Sequence, residues 1–140
     1  MFNNFQIRTV ERDGVRLHTR AGGAGSPLLL LHGHPQSMAM WHKVLPALMA
    51  RHRVVLMDLR GYGDSSRPAP DAKHLNHSKR DMALDAMAVM QAHGFERFDA
   101  LALWRERATQ VTGEALPCGH YLAEELPDQV AAQALNFFQS

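Results

Sequence analysis

Apolar and polar positions fall into short blocks whose period switches between two and about four. Phe5 to Val10 alternates with period two. Val15 to Arg20 does the same after Asp13-Gly14, a dipeptide suited to a tight hairpin turn. Gly22-Gly23-Ala24-Gly25-Ser26 reads as a flexible loop. Pro27 to Leu31 is then a continuous apolar run bounded by turn signals, the pattern of a strand buried on both faces. Met40 to Met49 places Trp41, Val44, Leu45, Leu48 and Met49 at helical spacing, and Pro46 inside it predicts a kink or a late helix start. Arg53 to Met57, with Val54 to Leu56 at its centre, is a second buried strand, and Arg60 to Asn76 a long loop rich in Gly, Ser and Pro.

Ser78 is placed to cap a helix that runs to about His93 along Met82, Asp85-Ala86, Val89 and Met90, with Gly94 as its stop. A strand over Phe98 to Leu103, a short helix over Trp104 to Gln110, a strand over Val111 to Leu116 and an amphipathic helix over Ala123 to Phe138 complete the chain. Alternation of this kind predicts an α/β fold. Its sheet is mostly parallel, with helices on both faces and an N-terminal hairpin.

Composition narrows this picture without redirecting it. The 140 residues suit a single domain, and 46% hydrophobic with 21% charged residues is the balance of a packed globular protein. A net charge of +1, with no basic face or run, gives no electrostatic case for nucleic acid or an anionic membrane; Arg51-His52-Arg53 reads as solvated. One cysteine, Cys118, rules out an intramolecular disulfide and suits a reducing compartment. With neither a signal-peptide pattern nor a membrane-length apolar run, the expected location is the cytoplasm. Most of the nine histidines are expected at the surface.

Three segments carry candidate chemistry. His32-Gly33-His34-Pro35-Gln36 follows a buried strand and precedes a helix, where a backbone N–H can donate to a developing oxyanion, so His34 would act through its amide. The rival reading makes His32 and His34 a metal pair, which lacks a third ligand at suitable spacing. Asp58-Leu59-Arg60-Gly61-Tyr62-Gly63-Asp64-Ser65-Ser66 reads as scaffold. It lacks the third glycine of a dinucleotide fingerprint, and neither Ser65 nor Ser66 sits in Gly-x-Ser-x-Gly. His120, in a Gly-His loop before the last helix, is a candidate general base, although an ordinary loop histidine remains open. Cys118 is a nucleophile only if His120 serves it; a buried structural thiol is the alternative.

Together these segments resemble the α/β-hydrolase superfamily, and within it the haloacetate (fluoroacetate) dehalogenase branch. Met40-Trp41-His42, Ser78-Lys79-Arg80-Asp81-Met82-Ala83, Gly94-Phe95-Glu96-Arg97-Phe98 and the run from Leu103-Trp104-Arg105 to Leu126-Pro127 add to the likeness. The resemblance implies that His120 is the base that activates water and that the His34 N–H is half of an oxyanion hole. It also exposes a gap. In such enzymes the strand after Gly-Phe-Glu-Arg-Phe leads into an elbow bearing a nucleophilic Asp and substrate-binding arginines. Here Phe98-Asp99-Ala100-Leu101-Ala102-Leu103 runs directly into Trp104-Arg105-Glu106-Arg107. Arg105 and Arg107 match no family arginine and receive no role.

The chain therefore reads as one truncated α/β-hydrolase domain, residues 1–140. Residues 1–98 supply the N-terminal part of the fold and 103–140 the C-terminal part. The resemblance implies an internal deletion at 98–103 that removes the nucleophile elbow, the cap and the acid that orients the His. The expected function is that of a dehalogenase-like hydrolase for small haloacids, impaired by loss of its nucleophile. The alternatives are a non-catalytic remnant and an esterase with a different nucleophile. No cofactor or metal is implied, and the expected partners are a small molecule and, through an exposed strand edge, a second copy of the chain.

Overall fold

A computed structural model describes residues 3–69, 71, 78–102, 117 and 121–138. Its N-terminal hairpin pairs β1 (Gln6–Arg12) with β2 (Val15–Gly22) in antiparallel register, Val10 opposite Leu17. The turn residues Asp13 and Gly14 both have positive φ, 50° and 74°, as the expected tight turn requires. β3 (Ser26–Leu31) and β4 (His52–Met57) pair in parallel, and β5 (Asp99–Ala102) pairs in parallel with β3. The sheet order is β1-β2-β4-β3-β5. β2 alone runs against the other described strands, which makes the sheet mostly parallel.

Period-two alternation in the two buried strands divides the core into layers. Leu28, Leu30, Val54 and Leu56 face a 3₁₀ turn (Met38–Trp41), helix α1 (Leu45–Met49) and the C-terminal helices α3 (Leu122–Glu125) and α4 (Pro127–Phe137). Leu29, Val55 and Met57 face helix α2 (Lys79–Ala92) together with Val10, Val15 and Leu17 of the hairpin. Leu28 to Leu30 and Val54 to Met57 are all at 0% exposure, so burial on both faces is complete. Each such side chain contributes roughly 1.5–3 kcal/mol of transfer free energy.

Local signals set the helix ends. The Ser78 side chain accepts the Asp81 N–H at the start of α2. At its other end Gly94 has φ 88°, while the Phe95 N–H reaches the Met90 carbonyl and the Gly94 N–H that of Gln91, a Schellman closure. Pro46 delays a helix, as expected: residues 38–41 form a 3₁₀ turn and α1 begins only at Leu45.

Three expectations need correction. The single closing helix over Ala123 to Phe138 is two helices, broken at Leu126 (φ −127°, ψ 56°), because a residue before proline is pushed out of the helical region. The glycine-rich loop is shorter than 22–26: Gly22 belongs to β2 and Ser26 to β3, which leaves residues 23–25 between them. At Gly23 and Gly25, with φ 79° and 119°, a Cβ would collide with the carbonyl oxygens of His52 and Arg51. Nor is His52 solvated, since β4 carries it into the sheet at 4% exposure with its Nδ1 2.8 Å from Ser26 Oγ.

Among the described residues, β5 ends the sheet order, and Asp99 and Ala100 are exposed on it. The expected helix at Trp104 to Gln110 and strand at Val111 to Leu116 lie outside the described residues. Among those residues, no helix is long and apolar enough to cross a membrane.

Candidate functional site

β3 and β4 run parallel, so their carboxyl ends open at the same edge of the sheet, where open α/β folds bind ligands. Each strand feeds one of the turns marked by the sequence, and three hydrogen bonds tie the turns together. The Asp58 carboxylate accepts the Met38 N–H at 2.8 Å. The Leu59 N–H donates to His32 Nε2 at 3.0 Å. The Tyr62 hydroxyl lies 3.0 Å from His34 Nδ1. Tyr62 also meets both imidazoles edge to face, at centroid distances of 5.4 Å to His32 and 6.0 Å to His34.

His32 is a structural bridge. It is fully buried, Nδ1–H donates to the Gly33 carbonyl, and Nε2 accepts from Leu59, which together define a neutral tautomer. Burial pushes its pKa below the ordinary 6.5, against the smaller raising effects of the Gly33 hydrogen bond and the Asp58 charge. With both ring nitrogens engaged, this rotamer leaves none to join His34 in a metal pair. His32 and His52 are the two buried exceptions among the described histidines, and no sequence signal separates such an imidazole from a solvated one.

The Asp58–Ser66 turn is scaffold, as its composition indicates. Asp58 accepts a second N–H from Asp64 at 3.1 Å, and Gly63 has no room for a Cβ against that carboxylate. Ser65 donates to the Asp58 carbonyl at 2.6 Å and accepts the His18 N–H at 2.9 Å, while Ser66 accepts the Arg16 N–H at 2.8 Å. Both hydroxyls hold the turn to β2.

Below the turn lies an ion cluster that motif reading missed. Arg60 grips Asp85 of α2 through Nε and Nη2, both at 2.7 Å, and Arg12 reaches the same carboxylate at 3.0 Å. Asp85 is at 0% exposure and Arg60 at 3%. The Asp85 hydrogen bonds raise both guanidinium pKa values from their ordinary level, against the lowering effect of burial. An aspartate on the otherwise apolar core face of α2, beside Ala86, Val89 and Met90, was the available clue.

Over the linked turns opens a cleft of about 400 Å³. Pro35, Gln36 and Ser37 line it from the first turn, Gly61, Tyr62 and Gly63 from the second, and Arg67, Tyr121 and Glu124 complete its rim. The His34–Pro35 peptide at its edge is cis. Polar groups therefore converge on a concave surface at the carboxyl edge of the sheet, an arrangement suited to a small polar ligand. His34 lies at this edge. The candidate base His120 and Cys118 fall outside the described residues. Among the described residues, no group of three or more His, Cys, Asp or Glu side chains is placed to hold a metal ion.

The comparisons agree with this geometry. The family model of the alpha/beta hydrolase fold matches residues 26–102 and so ends at the last residue of β5. A fluoroacetate dehalogenase from Burkholderia sp. is 41% identical over 135 residues, covering 96% of this chain and 41% of that protein. A soluble epoxide hydrolase from Corynebacterium sp. (strain C12) is 40% identical over 85 residues, 61% of this chain and 28% of the relative. A crystal structure of an alpha/beta hydrolase from Nostoc sp PCC 7120 superposes with a TM-score of 0.70 at 49% identity, over 73% of this chain and 35% of that one. The chain thus spans well under half the length of the relatives it matches. By sheet order, strand-end turns and sequence match, it belongs to the α/β-hydrolase fold family, with dehalogenases and epoxide hydrolases among its homologues.

Proposed function

We propose that this chain is a dehalogenase-type α/β hydrolase of the cytoplasm that keeps the binding edge of the site and has lost most or all of its hydrolytic chemistry. The observation that carries this reading is the sequence at the carboxyl end of β5. Asp99-Ala100-Leu101-Ala102 is followed by Leu103-Trp104-Arg105, with no Gly-x-Ser-x-Gly or Gly-x-Asp-x-Gly elbow. The substrate class is a small haloacid, supported by the likeness to a fluoroacetate dehalogenase and by the polar rim of the cleft. His120 is the general base, and the His34 backbone N–H is one oxyanion donor. An internal deletion at 98–103 explains why 96% of this chain corresponds to 41% of that relative.

Displacement of halide through an ester intermediate needs a carboxylate nucleophile, and losing the nucleophile of such a constellation costs on the order of 10⁶ in kcat. The test is halide release from fluoroacetate and chloroacetate by folded protein, beside His120→Ala. The expected result is release at the background rate in both. Turnover near that of a full-length enzyme, abolished in His120→Ala, would overturn the proposal and direct attention to a substitute nucleophile. Alkylation of Cys118 with loss of that turnover would identify the esterase alternative.

A second reading, an assembly module without chemistry, is favoured by the exposed Asp99 and Ala100 on β5, where a further strand can add. Sedimentation velocity tests it, because a monomer at every accessible concentration removes it.

A further inference from the structure

The cleft carries two opposite charges that do not meet. Among the described residues that line it, Arg67 is the one cation and Glu124 the one carboxylate. Neither side chain makes a hydrogen bond or an ion pair among the described residues. Lys43 does not neutralise Glu124, because its ammonium donates to the Glu124 backbone carbonyl, at 2.8 Å.

Both charges are placed by a pinned backbone. Just before Arg67, the Ser66 N–H donates to the Arg16 carbonyl at 2.8 Å, and the Ser66 carbonyl accepts the Gly61 N–H at 3.0 Å. Pro68 then narrows the backbone choices of Arg67 itself. On α3, the Glu124 N–H donates to the Tyr121 carbonyl at 2.9 Å, and the neighbouring Ala123 is fully buried. The cleft thus offers a ligand a guanidinium on one part of its rim and a carboxylate on another.

A ligand that answers both needs a carboxylate for Arg67 and a proton donor for Glu124. A haloacid has only the first, since its halogen cannot donate, and a hydroxy acid has both. Resting on the reading of this cleft as the retained binding edge of a hydrolase site, we propose that it selects short hydroxy acids over the matching haloacids. Arg67 holds the carboxylate, and Glu124 accepts from the hydroxyl. Glu124 also repels a carboxylate bound the wrong way round, which fixes the orientation. Hydrolysis of a haloacid yields such a hydroxy acid: the halogen leaves as halide, the carbon takes the hydroxyl of water, and the other proton is released. The cleft is therefore complementary to the product side of that reaction.

Glycolate and fluoroacetate test this, because they differ by a hydroxyl against a fluorine of similar size. Titration of the full chain, followed by two-dimensional amide NMR, is expected to move the signals of Gly61 and Gly63, which line the cleft. Glycolate is expected to bind in the millimolar range, and fluoroacetate about fivefold more weakly. Arg67→Gln is expected to weaken both by about threefold. Glu124→Gln is expected to bring the two affinities together, since an amide can donate to fluorine as well as accept from a hydroxyl. Equal affinities in the unaltered protein, or a preference that survives Glu124→Gln, would overturn the proposal and leave a plain carboxylate site. No shift with either acid would overturn it together with the reading of a retained binding edge. The comparison of the two acids needs no variant to fold. Loss of hydrolysis is read separately, by halide release, so the two inferences can fail independently.

Discussion

Asp85 shows how much one residue can carry in this core. It is fully buried between Arg60 and Arg12, so replacing it with Ala leaves the Arg60 guanidinium buried with its carboxylate gone. Breaking such a pair on one side costs about 3–5 kcal/mol, a large share of a small domain's stability. Urea denaturation of Asp85→Ala is expected to show that loss. A change under about 1 kcal/mol would mean that water reaches Arg60. His93 gives the opposite kind of prediction. The Thr19 hydroxyl donates to the Arg8 carbonyl and so accepts from His93 Nε2–H, 3.0 Å away, which places a ring proton on Nε2. Burial first, then Arg8 and Arg53, lower its pKa from 6.5; His32 is lowered too. The unfolded chain therefore takes up these protons at a higher pH than the folded chain. Stability is full above about 6.5 and falls as the pH drops from there toward the folded-state values. The Tm is expected to fall between about pH 7 and about pH 5, less steeply in His93→Gln. Parallel profiles for the two proteins would refute the role given to His93.

At the scale of elements, α2 depends on its ends. Ser78 accepts the Asp81 N–H, and replacing it with Ala is expected to cost about 1 kcal/mol. Gly94, at φ 88° in open space, is expected to lose a similar amount on change to Ala through backbone strain alone. The two effects act on opposite ends of a 14-residue helix, so the double variant is expected to lose their sum within about 0.5 kcal/mol. A clear departure from additivity in the urea midpoints would show that the helix ends are coupled.

At the scale of the whole molecule, two apolar layers share one sheet. Trp41 sits at the centre of the layer under α1 and α4, while α2 covers the other face. Adjacent residues of β3 and β4 serve opposite layers, so neither layer can open without disturbing the strands that support both. Unfolding is expected to be a single transition. In a Trp104→Phe protein, Trp41 fluorescence and far-UV circular dichroism are expected to give coincident urea curves. Separate midpoints would mean that one layer melts first.

Much of this was legible in the chain, and the reasons are local. Leu28 to Leu31 and Val54 to Met57 announce buried strands by composition, Asp13-Gly14 closes the hairpin by its φ preference, and Ser78 and Gly94 mark the ends of α2 by hydrogen-bonding chemistry. The first strand-end turn was identifiable as a candidate site because its Gly and His follow a buried strand directly, whereas the second read as scaffold and only the structure brings Gly61, Tyr62 and Gly63 to the cleft. What stayed hidden depends on pairs far apart in sequence. Nothing in the local sequence brings Arg60 to Asp85, Tyr62 to His34, or Leu59 to a buried, neutral His32, and the break at Leu126 needed the proline's steric demand to outweigh an apolar periodicity that continues through it. The sequence by itself determined the five described strands, α2 and their order, because these rest on residue type and spacing. Only the tertiary structure decided which polar side chains are buried and joined, because burial is a property of the packed chain.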